Sequence, residues 1–353
     1  MHIKKLTLIN FRNYKNKTIE FDKSLNVITG PNGVGKTNIV EAIYYLSLAH
    51  SFRTNENSEL IKDGEKEAII STEIYEGTLK RQIKIIISKE GRKVLLNNKP
   101  IRKLSELSNC TNVVLFEPKD VMLFKGSPSQ RRKFLDIALS KQSQAYFDSI
   151  SRYDKILKER NELLKKDKVD PIYLSTLTEL LVKLSKPIIK YRTMYCKDIN
   201  NILIKITRAL TGVCEDMRIE YHPYTNIDDE NYSINTTLMF ERNKEGDLKR
   251  KATSIGIQRE DFTFYKSGKD ISKYGSQGEN RICALALKLA PYFLIKDINK
   301  KPIVVLDDVL SELDDDKKSL LINFVKKFEQ TFITTVDADV KDVTSYKITK
   351  QNW

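Results

Sequence analysis

Long apolar runs are missing from this 353-residue chain. No stretch approaches the ~18 residues of a membrane-spanning helix, and the longest candidate, Ile282 to Ile295, is broken by Lys288. The amino-terminal string MHIKKLTLINFRNY carries charges inside its only apolar stretch, so no secretory leader is expected. Cysteine is scarce and scattered. Cys110, Cys196, Cys214 and Cys283 form no CxxC pair, which argues against a disulfide framework or a zinc ribbon and suits reduced thiols in a cytoplasmic protein. Three histidines, His2, His50 and His222, are too dispersed to suggest a metal site. There is no internal repeat, no low-complexity tail, no long heptad arm and no nuclease-like cluster of carboxylates and histidines.

What is present suits a globular protein: 40% hydrophobic and 31% charged residues. The length exceeds what one hydrophobic core supports, so two or three domains are expected. The net charge is +14, from 61 basic and 47 acidic residues. The excess is uneven. Residues 125–212 hold 19 basic and 9 acidic side chains, net +10. A charge of this sign favours a polyanion as partner, either nucleic acid or an anionic membrane surface. The blander reading, a solvated lysine-rich helical face, fits the same numbers.

Alternation around Leu6, Leu8, Ile19 and Phe21 predicts short strands, followed by a buried strand from Leu25 to Thr29. A helix is expected from about Gly35 to Leu48, antiparallel strands at 68–75, 81–88 and 92–96 with a turn at Glu90-Gly91, and a strand at 113–116. The character then changes. Helical spacing dominates 130–140, 142–166 and 171–210, with breaks expected near Asp170-Pro171 and Lys186-Pro187. Strands are expected at 217–221, 262–265, 303–306 and 331–335, and helices at 233–244, 277–293 and 315–328.

Gly30-Pro31-Asn32-Gly33-Val34-Gly35-Lys36-Thr37 matches GxxxxGK[ST] in full, between an expected strand and an expected helix. Glycines let backbone N–H groups wrap phosphates, and the helix N-terminus adds its dipole. Lys36 is the candidate for the β- and γ-phosphates and Thr37 for Mg²⁺. Such a loop needs an acidic partner. Ile303-Val304-Val305-Leu306-Asp307 supplies one, a buried strand ending in a carboxylate, with Asp307 the second magnesium residue and Asp308 placed to polarise an attacking water. Thr37 and Asp307 lie 270 residues apart, so a large insertion must split the nucleotide fold. Upstream, Gly275-Ser276-Gln277-Gly278-Glu279-Asn280-Arg281 reads as a polar turn opening a helix. It could offer N–H groups and a hydroxyl to a phosphate, or be an ordinary cap.

The order GxxxxGKT, SQGxxR, a strand ending in Asp-Asp, then Ser311-Glu312-Leu313-Asp314 resembles the ABC-type ATPase heads of the SMC class. Asn10-Phe11-Arg12-Asn13-Tyr14, Leu115-Phe116-Glu117-Pro118-Lys119-Asp120, the run from Lys125 to Asp136, and Tyr274-Gly275-Ser276-Gln277-Gly278 resemble the RecF family of bacterial recombination proteins over the whole chain. The resemblance implies an α/β fold: an ABC-type P-loop ATPase head (a mixed sheet with flanking helices and an antiparallel β subdomain) with an inserted α-helical arm. It divides the chain into 1–124, the part of the head with the phosphate loop; 125–212, the basic arm; and 213–353, the rest of the head.

The resemblance also implies roles. Gly30 through Thr37 would bind ATP and Mg²⁺. Ser276, Gln277 and Gly278 would meet the γ-phosphate of ATP held by a second copy. Asp307 would hold the metal, and Asp308 with Lys36 would be catalytic. Ser311 and Asp314 would lie at the dimer seam, and Thr335 where many ABC ATPases carry a switch histidine. Implied too are slow, DNA-stimulated ATP hydrolysis, action at single-strand gaps, cooperation with RecO and RecR, loading of RecA and support of the SOS response. Arg131, Arg132, Lys133, Lys165, Lys166 and Lys168 are the candidate DNA contacts. Three departures from the family pattern stand out: Gly256-Ile257-Gln258-Arg259-Glu260-Asp261 replaces GPHRDD, with Gln258 in place of histidine; Ser276-Gln277-Gly278-Glu279-Asn280-Arg281 replaces SQGQQR, with a carboxylate at Glu279; and the switch histidine is absent. Two other readings share the motifs, an ABC transporter ATPase subunit and an SMC-like chromosome clamp. The basic helical insertion argues against the first, and the missing long heptad arm against the second.

Overall fold

The computed structural model describes residues 1–336 and 344–349. Along the first part of the chain run β1 (His2–Phe11), β2 (Tyr14–Glu20), β3 (Leu25–Thr29), α1 (Lys36–Leu48), β4 (Glu67–Glu76), β5 (Leu79–Ser88), β6 (Gly91–Leu96), β7 (Lys99–Pro100), α2 (Leu104–Cys110) and β8 (Val113–Phe116). Then come α3 (Pro128–Gln142), α4 (Gln144–Leu164), α5 (Pro171–Thr211), β9 (Met217–His222), α6 (Tyr232–Arg250), β10 (Asp261–Lys266), β11 (Lys269–Asp270) and α7 (Ile271–Tyr274). The chain finishes with α8 (Gln277–Leu294), β12 (Ile303–Leu306), α9 (Asp315–Val325), β13 (Thr331–Thr335) and β14 (Thr344–Lys347).

Two compact units emerge. One gathers Met1–Val121, Lys205–Cys214 and the described residues from Gln277 onward; the other gathers Met122–Ile204 and Glu215–Ser276. Residues 215–276, expected with the head, therefore group with the helices of the basic segment.

In the first unit the antiparallel and parallel strands segregate into two sheets. One has the order β2-β1-β4-β5-β6-β7, every pair antiparallel. The other has the order β14-β3-β13-β12-β8, every pair parallel. The antiparallel strands alternate, and Leu6, Leu8, Ile70, Ile83, Ile85 and Ile87 turn inward. Four of the parallel strands, β3, β13, β12 and β8, are buried on both faces, so β12 reads as unbroken Ile-Val-Val-Leu. α1 shares their core: Ile39, Val40, Ile43 and Leu46 are all fully buried beside Leu8, Ile85, Val305 and Phe332. Each such side chain contributes roughly 1.5–3 kcal/mol of burial. Ala49 ends the helix in the left-handed region, its N–H donating to the Tyr45 carbonyl. β14 pairs with β3, and just beyond it the Ile348 N–H donates to the Thr29 carbonyl at 2.8 Å.

In the second unit α3 starts on a capping box. Ser127 Oγ accepts from the Gln130 N–H, Gln130 Oε1 accepts from the Ser127 N–H, and Pro128 fills the first helical position. α5 corrects one expectation. It runs unbroken through Pro187, although proline removes a helical donor and crowds the preceding turn. The buried neighbours Leu181, Val182, Ile188 and Ile189 fix the helix on both sides. α6 extends to Arg250, beyond the expected 244, and α9 stops at Val325, short of 328.

Two buried arginines tie this unit together. Arg160 donates to Asp247 at 2.9 Å, Thr253 Oγ1 at 2.7 Å and Thr178 Oγ1 at 3.1 Å, with the Phe240 ring 5.4 Å away. Arg192 donates to Asp136, to Glu260 at 2.7 Å and to the Ile257 carbonyl at 3.1 Å. A buried ion pair is weak evidence for net stability, but removing one partner strands a charge. Asp247→Ala is expected to cost about 3–5 kcal/mol, read as a lowered urea midpoint. Replacing both partners with apolar residues, Arg160→Met with Asp247→Leu, is expected to recover most of that loss. Equal midpoints for Asp247→Ala and the unaltered chain would show that the pair is not a structural tie.

Candidate nucleotide site

β3 delivers the chain to the phosphate loop, and two glycines there are required by shape. Gly30 has φ +151°, and a Cβ on it would stand 2.4 Å from the Ile348 carbonyl oxygen. Gly35 has φ +99°, and a Cβ would fall 2.6 Å from Asn13 Nδ2 and 2.9 Å from the Tyr14 hydroxyl. The Asn10–Tyr14 turn thus braces the loop from below. Tyr14 Oη donates to the Gly35 carbonyl at 3.2 Å, and Asn38 Nδ2 donates to Asn13 Oδ1 at 2.7 Å. Arg12 is itself in the left-handed region at φ +54°. It grips the buried Glu41 of α1 through both Nε (2.9 Å) and a terminal nitrogen (2.7 Å). Such two-point pairing fixes orientation as well as distance.

Lys36 opens α1. Its ammonium donates to the Gly30 carbonyl at 2.6 Å and the Pro31 carbonyl at 2.9 Å. Burial pulls its pKa down, while Asp308 and Asp307 pull the other way. Thr37 Oγ1 donates to Asp307 Oδ1 at 3.3 Å, joining residues 270 positions apart. Burial pushes the Asp307 carboxyl up, opposed by its hydrogen bonds from Thr334 and Thr37. A hydroxyl and a carboxylate this close are hard oxygen donors suited to one magnesium ion, which takes few protein ligands and keeps several waters.

A residue absent from the sequence-based site completes this group. Thr334 Oγ1, buried on β13, donates to Asp307 Oδ1 at 2.7 Å and accepts the Asp308 N–H at 2.9 Å. Asp308 has φ +49°, a left-handed conformation uncommon for a residue with a side chain. Its carbonyl accepts from Arg281 at 2.9 Å, and Arg281 also donates to the Val309 carbonyl at 3.2 Å and pairs with Glu312. Arg281 lies on α8, so the helix that follows the Ser276 turn grips the loop after β12.

The other candidates are distributed. Ser276, Gln277 and Gly278 stand exposed at the opening of α8, and Glu279 lies in its first turn, where a carboxylate suits the helix dipole. Ser311 Oγ donates to the Asp308 carbonyl at 3.1 Å. Asp314 caps α9, accepting the Lys317 N–H at 2.9 Å. Thr335 is buried on β13, opposite Thr29 of β3.

In the second unit Gln258 is held by its own neighbours. Its Oε1 accepts from the Tyr153 hydroxyl at 2.6 Å and its Nε2 donates to the Ile255 carbonyl. Arg131 is engaged with both oxygens of Asp261, at 2.7 and 2.6 Å, and with the Gly126 carbonyl. Arg132 donates to the Glu260 carbonyl at 2.6 Å. These two guanidinium groups are thus already occupied within the unit. Lys133, Lys165, Lys166 and Lys168 are exposed. No helix among the described residues is long and apolar enough to cross a membrane.

Comparison with known proteins agrees with this geometry. The RecF/RecN/SMC N-terminal domain family matches residues 2–351. The DNA replication and repair protein RecF of Clostridium tetani (strain Massachusetts / E88) is 40% identical over 341 residues, covering 95% of this chain and 92% of that protein. A solved structure of the recombination mediator protein RecF-ATPrS in the RecFOR pathway superimposes with a TM-score of 0.90 at 32% identity, covering 99% of this chain and 96% of that one. An SMC head bound to the C-winged helix domain of ScpA matches with a TM-score of 0.58 at 17% identity, covering 100% of this chain and 92% of that one, a likeness of fold. These comparisons favour the RecF reading over the transporter and chromosome-clamp readings. An ABC-type head, a full phosphate loop facing the Asp307 strand, and near full-length relatives agree: the chain belongs to the RecF family of DNA replication and repair proteins.

Proposed function

We propose that this chain is an ATP-dependent DNA-binding switch of recombinational repair in the cytoplasm. One observation carries the reading: Thr37 and Asp307, 270 residues apart, share a hydrogen bond beside Lys36 at the start of α1. That is the donor set a nucleotide with magnesium requires. The RecF relative solved with ATPrS supports ATP as the nucleotide.

In this reading Gly30 through Thr37 cradle the phosphates. Lys36, which now donates to the loop carbonyls, would serve the β- and γ-phosphates, and Thr37 and Asp307 would hold magnesium, which when bound would neutralise phosphate charge. Asp308 orients the attacking water and takes its proton. Ser276, Gln277 and Gly278 close over the nucleotide of a second copy, with Ser311 and Asp314 at the seam and Thr335 beside the site. ATP thereby drives dimerisation on DNA at single-strand gaps, where RecR and RecO are the expected partners in loading RecA and supporting SOS induction. Turnover is slow, because an aspartate base is one methylene shorter than glutamate and placement errors of about 1 Å cost on the order of 100-fold.

Three outcomes are expected. Lys36→Arg abolishes ATP turnover, since a planar fork does not replace a compact ammonium among phosphates; steady-state ATPase assays check this. Thr334→Val lowers kcat on the order of 100-fold with little change in ATP-analogue binding, and Thr334→Ser restores it. A loss of analogue binding equal to the loss of kcat would instead make Thr334 a folding residue. Ser276→Arg keeps nucleotide binding but blocks ATP-dependent dimers in sedimentation velocity. Identical sedimentation of the unaltered chain with and without ATP would refute the dimer switch. DNA binding with and without ATP, on single-stranded, duplex and gapped substrates, tests the reading as a whole.

A further inference from the structure

The basic segment carries its lysines in two different ways. On α4 and at its C-terminal cap they are interleaved with carboxylates. Lys165 pairs with Glu162 at 2.8 Å, and Glu159 accepts the Tyr173 hydroxyl. On α5, Lys183, Lys186, Lys190 and Lys197 are all exposed. At 3.6 residues per turn these four fall within roughly 60° of arc, and at 1.5 Å per residue they extend over roughly 21 Å. The opposite side of the same stretch is buried through Val182, Ile188, Ile189, Arg192, Tyr195, Cys196 and Ile199, which fixes the direction of the stripe. Lys186 lies over the Tyr232 ring at 5.2 Å. Among the described residues, Lys183, Lys190 and Lys197 form no ion pair. Glu179 and Asp198 are the acidic residues of this part of α5, and neither is paired with these lysines.

Three unpaired ammonium groups, seven residues and thus roughly 10.5 Å apart on a rigid helix, fit a rod that repeats negative charge along its length. Duplex DNA is such a rod. A single strand is a poorer fit, because binding it calls for exposed aromatic platforms. Between Lys183 and Lys197 the stripe offers Thr193 and Met194, while Tyr195 is buried and Tyr191 is half-buried edge-on to Tyr146. We propose that the face of α5 bearing Lys183, Lys190 and Lys197 is a phosphate-contacting surface for duplex DNA. The proposal rests on the reading of the chain as an ATP-dependent DNA binder and names the surface that reading lacks.

The test is the full chain with Lys183→Gln, Lys190→Gln and Lys197→Gln combined, titrated with duplex and single-stranded DNA in ATP at several salt concentrations. Glutamine keeps helix propensity, so circular dichroism and ATP-analogue binding should match the unaltered chain. The expected result is a duplex affinity lowered roughly tenfold or more, with the slope of log affinity against log salt reduced by about two to three. The corresponding triple arginine variant should retain both. Unchanged duplex affinity and slope overturn the surface while leaving ATP-dependent DNA binding standing. Loss confined to single-stranded DNA overturns the assignment to duplex. If the unaltered chain binds no DNA in ATP, the broader reading and this surface fall together.

Discussion

The parallel register of β3, β13 and β12 is the constraint on which the site depends. Thr335 lies opposite Thr29 and Ile333 opposite Leu306, so Thr334 comes level with the Asp307 carboxylate that follows β12. Side chains alternate along a strand, and a slip of one residue would turn the Thr334 hydroxyl to the other face. The hydrogen bond from Thr37 to Asp307 is too weak to hold 270 residues of intervening chain by itself. The sheet, with its fully buried Ile-Val-Val-Leu strand, does the holding. The short polar contacts then set the final geometry.

The fold was legible where local chemistry is self-sufficient. The phosphate loop, the buried strand before Asp307 and the alternating strands from 68 to 96 follow from spacing alone, and the observed elements lie within a few residues of those expected. Thr334 was not legible. β13 is buried on both faces, so Thr-Phe-Ile-Thr-Thr shows no alternation that tells which threonine meets a carboxylate. The fate of Arg131 was hidden for a different reason: its partner Asp261 is 130 residues away, and a basic triplet in sequence looks the same whether it is solvated, bound to phosphate or paired. Pro187 misled through a real local cost that burial on both sides of it outweighs. The grouping of 215–276 with the helices rests on long-range pairs such as Arg192 with Glu260, which no periodicity reveals.

Charge serves two roles in the second unit. Arg160 and Arg192 are buried, each holding several acceptors, and they specify which segments meet. The exposed lysines hold little structure and leave their charge to solvent or to a partner. Arginine suits the first task through its fixed fork of donors, lysine the second as a mobile point charge. A net charge per segment averages over both populations, which is why it points to a polyanion without saying which residues would meet it.

The pairing of β14 with β3 has a consequence for synthesis. β3 is made within the first thirty residues, yet its two neighbours in the sheet are β13 and β14. On a ribosome adding roughly 5–20 residues per second, the strand that leads into the phosphate loop waits on the order of tens of seconds for either edge to be covered. During that interval Leu25, Val27 and Ile28 belong to a strand with two open edges, the kind of surface that invites pairing with other chains. The antiparallel sheet β1-β2-β4-β5 is complete much earlier and shares a core with α1. Before the chain is finished, that sheet already offers the helix that follows the phosphate loop a large apolar surface to pack on.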